Sequence, residues 1–79
     1  MKRERDQEIL EEATAVVDTA PATDHEDGWT TYQARTMQVI TPPGGRYFVV
    51  RPVHGHQRTF MASEAPGLIS HDRRRRGRP

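Results

Sequence analysis

The stretch MQVITPPGGRYFVVRP, residues 37–52, decides the fold. One run of β-branched and apolar residues precedes a Pro-Pro-Gly-Gly turn, and a second run follows it. Such residues favour strands, and Pro43-Gly44 suits the centre of a type II turn. A second turn signal follows at Gly55-His56, where glycine at the first central position suits a type II′ hairpin. The pattern predicts three antiparallel strands, over residues 29–41, 46–54 and 57–62.

The two turns also fix a register for this predicted sheet. The first turn pairs Val39 with Phe48, and the second pairs Val50 with Met61. One face would then be uniformly apolar; its members are Met37, Val39, Phe48, Val50 and Met61. The other face would mix aromatic residues with arginines; its members are Tyr32, Ile40, Tyr47, Val49, Arg51, Arg58 and Phe60. Because the middle strand is apolar on both sides, we expect both faces to be covered, the second by a partner or another copy.

The residues before the sheet predict an acidic amphipathic helix over residues 1–20. Its apolar residues recur at spacings of three and four; they are Ile9, Leu10, Ala13, Val16, Val17 and Ala20. Pro21 ends the helix, because the residue before a proline is displaced from the α region. Residues 21–28 predict a linker. The expected fold is α+β: an N-terminal amphipathic helix packed on a three-stranded antiparallel meander spanning 29–62, then a short turn and a flexible basic C-terminal tail over 63–79.

Composition excludes several classes of site. The 79 residues include no cysteine, so disulfides, thiolate metal sites and cysteine nucleophiles are ruled out. No apolar run is long enough to span a membrane, and the charged N-terminus MKRERDQE does not resemble a secretory signal. We therefore expect a cytoplasmic protein with no membrane partner.

Catalysis and metal binding find little support in the sequence. The four histidines lie in predicted turns and loops, without the spacing of zinc ligands. No nucleophile elbow, phosphate-binding loop or carboxylate pair is visible. The expectation is a non-enzymatic chain with no catalytic residue, no metal site and no cofactor.

The C-terminal sequence HDRRRRGRP gives the main functional signal. The formal net charge of +1 combines −6 over residues 1–28 with +7 over residues 29–79. Five arginines fall within six positions near the end of the chain; they are Arg73, Arg74, Arg75, Arg76 and Arg78. The guanidinium fork matches phosphate oxygens. The sequence therefore predicts a small nucleic-acid-associated accessory protein that binds the phosphate backbone of DNA or RNA through this run, with Arg51 and Arg58 extending the footprint.

A protein partner is the alternative. The chain would then be an adaptor or inhibitor of the phage or mobile-element type that docks on a host protein through its sheet face or edge. The interface residues would be Tyr32, Tyr47, Val49 and Phe60. A homodimer or a larger assembly is a further expectation, because a sheet of three strands is too small to be very stable alone.

Overall fold

The computed structural model describes residues 4–65 and Leu68, and these form one helix packed on an antiparallel sheet. Helix α1 spans Glu4–Thr19 and ends before Pro21, as the sequence predicts. The strands are β1 Ala22–Asp24, β2 Thr30–Gln33, β3 Met37–Thr41, β4 Tyr47–Pro52 and β5 Arg58–Met61. A short 3-10 helix, Ala62–Glu64, follows. The α+β class is confirmed, but the sheet has five strands in the order β1-β2-β3-β4-β5 rather than three.

The two additional strands come from the predicted linker and from a turn without a sequence signal. Within the predicted linker, β1 pairs with β2 and aligns Ala22 with Tyr32. The predicted strand over 29–41 is divided into β2 and β3 by a tight turn, which the Ala34 amide closes on the Met37 carbonyl at 3.0 Å. Because Ala34-Arg35-Thr36 contains neither glycine nor proline, the usual markers of a turn are missing.

The β3–β4 hairpin has the predicted turn but a different register. The Gly45 amide donates to the Pro42 carbonyl at 3.3 Å, and Gly44 has φ +94°, as a type II turn requires. Gly45 also has positive φ, which extends the loop, so Val39 faces Val50 instead of Phe48. This shift of two residues leaves the same side chains on each face.

The β4–β5 hairpin corrects the predicted faces. Residues 53–57 form a loop instead of a two-residue turn at Gly55-His56, and Val50 faces Arg58 instead of Met61. A shift of three residues exchanges the two faces of β5. Phe60 therefore points towards α1 and is buried, whereas Met61 is 55% exposed.

The core lies between α1 and one face of the sheet. Phe48 and Phe60 stack there with ring centroids 5.6 Å apart, and Tyr32 is fully buried in the same core rather than on the predicted mixed face. Leu68 is also fully buried in this core, and its amide donates to the Ala65 carbonyl at 3.0 Å. The other buried members are Leu10, Ala13, Val16, Val17, Ala20, Met37, Val39, Val50 and Ala65. Among the described residues, no helix has the length and apolarity needed to cross a bilayer.

Candidate functional site

The sheet face that points away from α1, here called the open face, is the main candidate surface. Alternation along each strand and the observed register align its side chains in rows that run across the strands. The middle row consists of Thr23, Thr31, Ile40, Val49 and Thr59. An aromatic row, Trp29, Tyr47 and Met61, lies on one side of it, and a glutamine row, Gln33, Gln38, Arg51 and Gln57, lies on the other.

The aromatic row is apolar and partly accessible. Trp29, which immediately precedes β2, meets Tyr47 of β4 in an edge-to-face contact with ring centroids 6.4 Å apart. Both rings are half-buried, and Met61 faces Tyr47 across the β4–β5 ladder. Edge-to-face pairs of this kind hold ring orientation as well as burying area. The row therefore offers a fixed apolar surface at one end of the open face.

The glutamine row is ordered by hydrogen bonds that run across the strands. Gln38 Nε2 donates to Gln33 Oε1 at 3.2 Å, and Arg51 Nη1 donates to Gln38 Oε1 at 3.3 Å. Arg51 Nε donates to Gln57 Oε1 at 3.0 Å. Arg51 is therefore oriented by neutral amides on both sides, and no carboxylate neutralises it in these contacts.

The charge of the open face differs from that of the rest of the fold. Residues 4–65 contain five arginines and ten carboxylates, a formal charge of −5. The strand positions that form the open face carry Arg51 and no carboxylate. At its margin, the His25 ring nitrogen Nε2 lies 2.9 Å from the Thr31 hydroxyl. The open face is thus close to neutral on an acidic body.

The structure brings together only some of the residues that the sequence singles out. Tyr47, Val49 and Arg51 share the open face. Tyr32 and Phe60 are buried under α1, so their predicted role in an exposed interface is wrong. Arg58 also lies on the helix side of the sheet, where it forms an ion pair with Asp6. Arg51 and Arg58 therefore lie on opposite faces of the sheet, rather than together on the one mixed face that the sequence predicts.

The arginine run, which comprises Arg73–Arg76 and Arg78, lies outside the described residues. Sequence reasoning also missed members of the open face, chiefly Trp29 and Gln38. A signal for them exists: Trp29, Thr31 and Gln33 alternate with Thr30 and Tyr32, as expected of a strand with one buried face. This alternation can be assigned to a separate strand only when the turn at residues 34–36 is known.

A cleft of about 700 Å³ opens between α1 and the loops that follow β2 and β4. Its charged and titratable lining residues are Glu8, Glu12, Arg35, His54, His56 and Arg58. The Thr36 hydroxyl donates to Glu12 across it, and Arg58 is engaged by Asp6. Within residues 4–65 and at Leu68, no three histidine or carboxylate side chains are close enough to hold a metal ion. With two carboxylates opposite two guanidinium groups, the cleft favours neither polyanions nor polycations.

Comparison of the chain with protein-family models, with curated proteins and with solved structures finds no match. Two features of the molecule itself therefore carry the functional argument. One is the separation of charge between the acidic fold and the C-terminal arginines. The other is the neutral, partly apolar open face.

Proposed function

We propose that this chain is a non-enzymatic, nucleic-acid-associated accessory protein that binds the phosphate backbone through Arg73–Arg76 and Arg78. The observation that carries this proposal is the separation of charge. Residues 4–65 have a formal charge of −5, whereas five arginines lie within six positions near the C-terminus. A cluster of this density matches the spacing of phosphates along a strand, and each guanidinium keeps its charge at any physiological pH.

The folded part contributes little to such binding. Arg58 is paired with Asp6, and Arg51 is held among glutamines. Exposed carboxylates on α1, including Glu11 and Asp18, would repel a phosphate chain. Binding would therefore be electrostatic and largely independent of base sequence, because phosphate contacts position a protein without reading bases.

The test compares the full chain with a chain that lacks residues 73–79, using generic duplex DNA and RNA. We expect the deletion to abolish binding, and the affinity of the full chain to fall with salt at a slope of roughly −4.5 in log K against log salt for duplex DNA. Arg46→Gln is the control, because it removes an exposed arginine from the loop between β3 and β4, outside the predicted footprint, and should leave binding nearly unchanged. Undiminished binding by the deleted chain would refute the proposal.

A second candidate is a protein-binding adaptor or inhibitor, and the edge of the sheet favours it. Strand β5 is the last strand in the sheet order and has no strand neighbour on its outer side among residues 4–65. An extended segment of a host protein could add to such an edge by main-chain hydrogen bonds. A specific protein captured by the chain lacking residues 73–79, after nuclease treatment of the lysate, would favour this candidate over nucleic-acid binding.

A further inference from the structure

The open face combines polar threonines and glutamines with an apolar group that is only partly buried. Its middle row is made of β-branched side chains, and the half-buried Ile40 and Val49 lie at its centre. The aromatic row adjoins it, and the glutamine row is already ordered by hydrogen bonds. Antiparallel sheets commonly leave one face to water, but such faces are usually lined by charged and polar residues.

We propose that the open face is a homodimer interface, in which two copies of the chain pack sheet against sheet. The result would be a β-sandwich with one helix on each outer side. This inference does not depend on the arginine run, and it identifies the occupant of the face as a second copy of this chain.

Charge makes this face the one at which two copies can meet, and it disfavours a strongly charged partner there. Two copies of an acidic body repel one another, and contacts through α1 would bring carboxylates such as Glu11 and Asp18 against their counterparts. The strand positions of the open face carry no carboxylate, so two copies can meet there without that penalty. A strongly acidic or basic partner would find only Arg51 as a charged group on these strands.

The dimensions of the face suit a modest dimer. Five strands spaced about 4.8 Å apart and three rows spaced about 6.6 Å apart give a flat footprint of roughly 500 Å² per copy. Two copies would therefore bury on the order of 1,000 Å², which is the lower limit of specific interfaces. The hydrogen bonds of the glutamine row reduce the entropy lost on association, because those side chains are already held.

Symmetry places the same residues at the centre in either arrangement of the dimer. In aligned sheet packing, a two-fold axis through the middle of the face lies approximately along the strands or across them. Both choices place the middle row of one copy over the middle row of the other, with the sheets about 10 Å apart. Ile40 is the central member of that row, and its cross-strand neighbour Val49 is therefore a position sensitive to a buried charge.

The experiment is sedimentation equilibrium of the full chain from about 1 to about 500 µM, compared with Val49→Glu and Val53→Glu. Val53 is the matched control, because it is a 60% exposed valine in the β4–β5 loop and not on the open face. We expect the wild-type chain and Val53→Glu to dimerise alike, and Val49→Glu to weaken dimerisation by roughly tenfold or more. Circular dichroism verifies that each variant is folded.

Trp29 provides a second measurement without any substitution. It is the chain's single tryptophan and lies on the open face, so its emission should move to shorter wavelength as the chain is concentrated into dimers. Should Val49→Glu unfold the chain, Thr59→Glu serves in its place, since Thr59 is exposed on the same face.

Three outcomes would overturn the proposal. The first is a wild-type chain that stays monomeric throughout the range. The second is a dimer that tolerates a folded glutamate variant on the open face, or that Val53→Glu weakens equally. The third is a monomer whose Trp29 emission shifts only when nucleic acid or another protein is added, since the face would then belong to that partner.

Discussion

Phe60 and Met61 are neighbours in β5, yet they occupy opposite environments. Phe60 is 5% exposed and stacks on Phe48, whereas Met61 is 55% exposed on the open face. The two-residue turn expected at Gly55-His56 would have exchanged them. The length of a single loop therefore decides which of two large apolar side chains enters the core.

Truncation of these two residues tests the observed register. We expect Phe60→Ala to lower the free energy of unfolding by about 3 kcal/mol, because it removes a buried aromatic ring and leaves a cavity. Met61→Ala should change it by about 0.5 kcal/mol or less, as is usual for an exposed side chain. Urea denaturation at low chain concentration measures both. A larger loss for Met61→Ala would favour the register in which Met61 faces Val50.

At this scale, the sequence predicts the core better than it predicts the site. The helix positions Leu10, Ala13, Val16 and Val17 are buried as expected, because a period of 3.6 residues allows one apolar stripe only. Strand residues are harder to assign. In β5, Phe60 and Met61 are both large and apolar, so composition does not tell the buried residue from the one on the open face.

Strand β1 and the turn that follows it depend on contacts that the local sequence does not indicate. The turn is closed by the His25 amide, which donates to the Trp29 carbonyl at 2.7 Å, and the Trp29 amide donates to Asp27 Oδ1 at 3.1 Å. On the helix side, the Thr30 hydroxyl donates to Asp24 Oδ1 at 2.7 Å. The contacts of His25 and Asp24 reach the residues where β2 begins, so these two form only when β2 is present as a partner. Taken without β2, the short and mostly polar sequence Ala22–Asp24 predicts a linker.

Substitutions at two turn glycines distinguish the cost of backbone strain from the cost of a steric contact. Gly28 has φ +95°, and a Cβ added there would lie 3.0 Å from the Pro43 Cβ; Gly44 has φ +94° and open space around it. We expect Gly44→Ala to cost about 1 kcal/mol from backbone strain alone. Gly28→Ala should cost about 1 kcal/mol more, because the rigid proline ring must also move.

Thermal or urea unfolding of the two alanine variants measures this difference directly. Gly44→Ala is the control for Gly28→Ala, since the two positions share nearly the same φ. Equal losses would show that the β1–β2 turn does not press against Pro43. The contact joins two turns from different hairpins, so it holds one end of the sheet together.

At the scale of the whole molecule, the dimer and the arginine run would act together. A dimer carries two runs, and a second run that binds the same nucleic acid does so at a high effective concentration. Affinity would then depend on the length of nucleic acid available. The same arginines that bind weakly one at a time would bind a longer strand much more tightly.

This coupling predicts a length effect that the dimer variant loses. For the wild-type chain, we expect a long duplex to bind roughly tenfold or more tightly per site than a duplex that admits one run only. Val49→Glu should bind both lengths alike, and Val53→Glu should behave as the wild type. Fluorescence anisotropy with labelled duplexes measures the ratio. A ratio unaffected by Val49→Glu would show that the runs act singly.

Because Leu68 is buried, chain length alone limits the distance from it to the arginines. Arg73 follows it by five residues and Arg78 by ten, so an extended chain carries them at most about 17 to 36 Å from that anchor. Under the proposed function, a bound nucleic-acid strand therefore stays within that distance of Leu68. Residues 4–65, which fold around Leu68, carry ten carboxylates. The same small molecule would bind the strand through its arginines and repel it through its carboxylates. This combination favours short-lived, exchangeable binding over permanent coating.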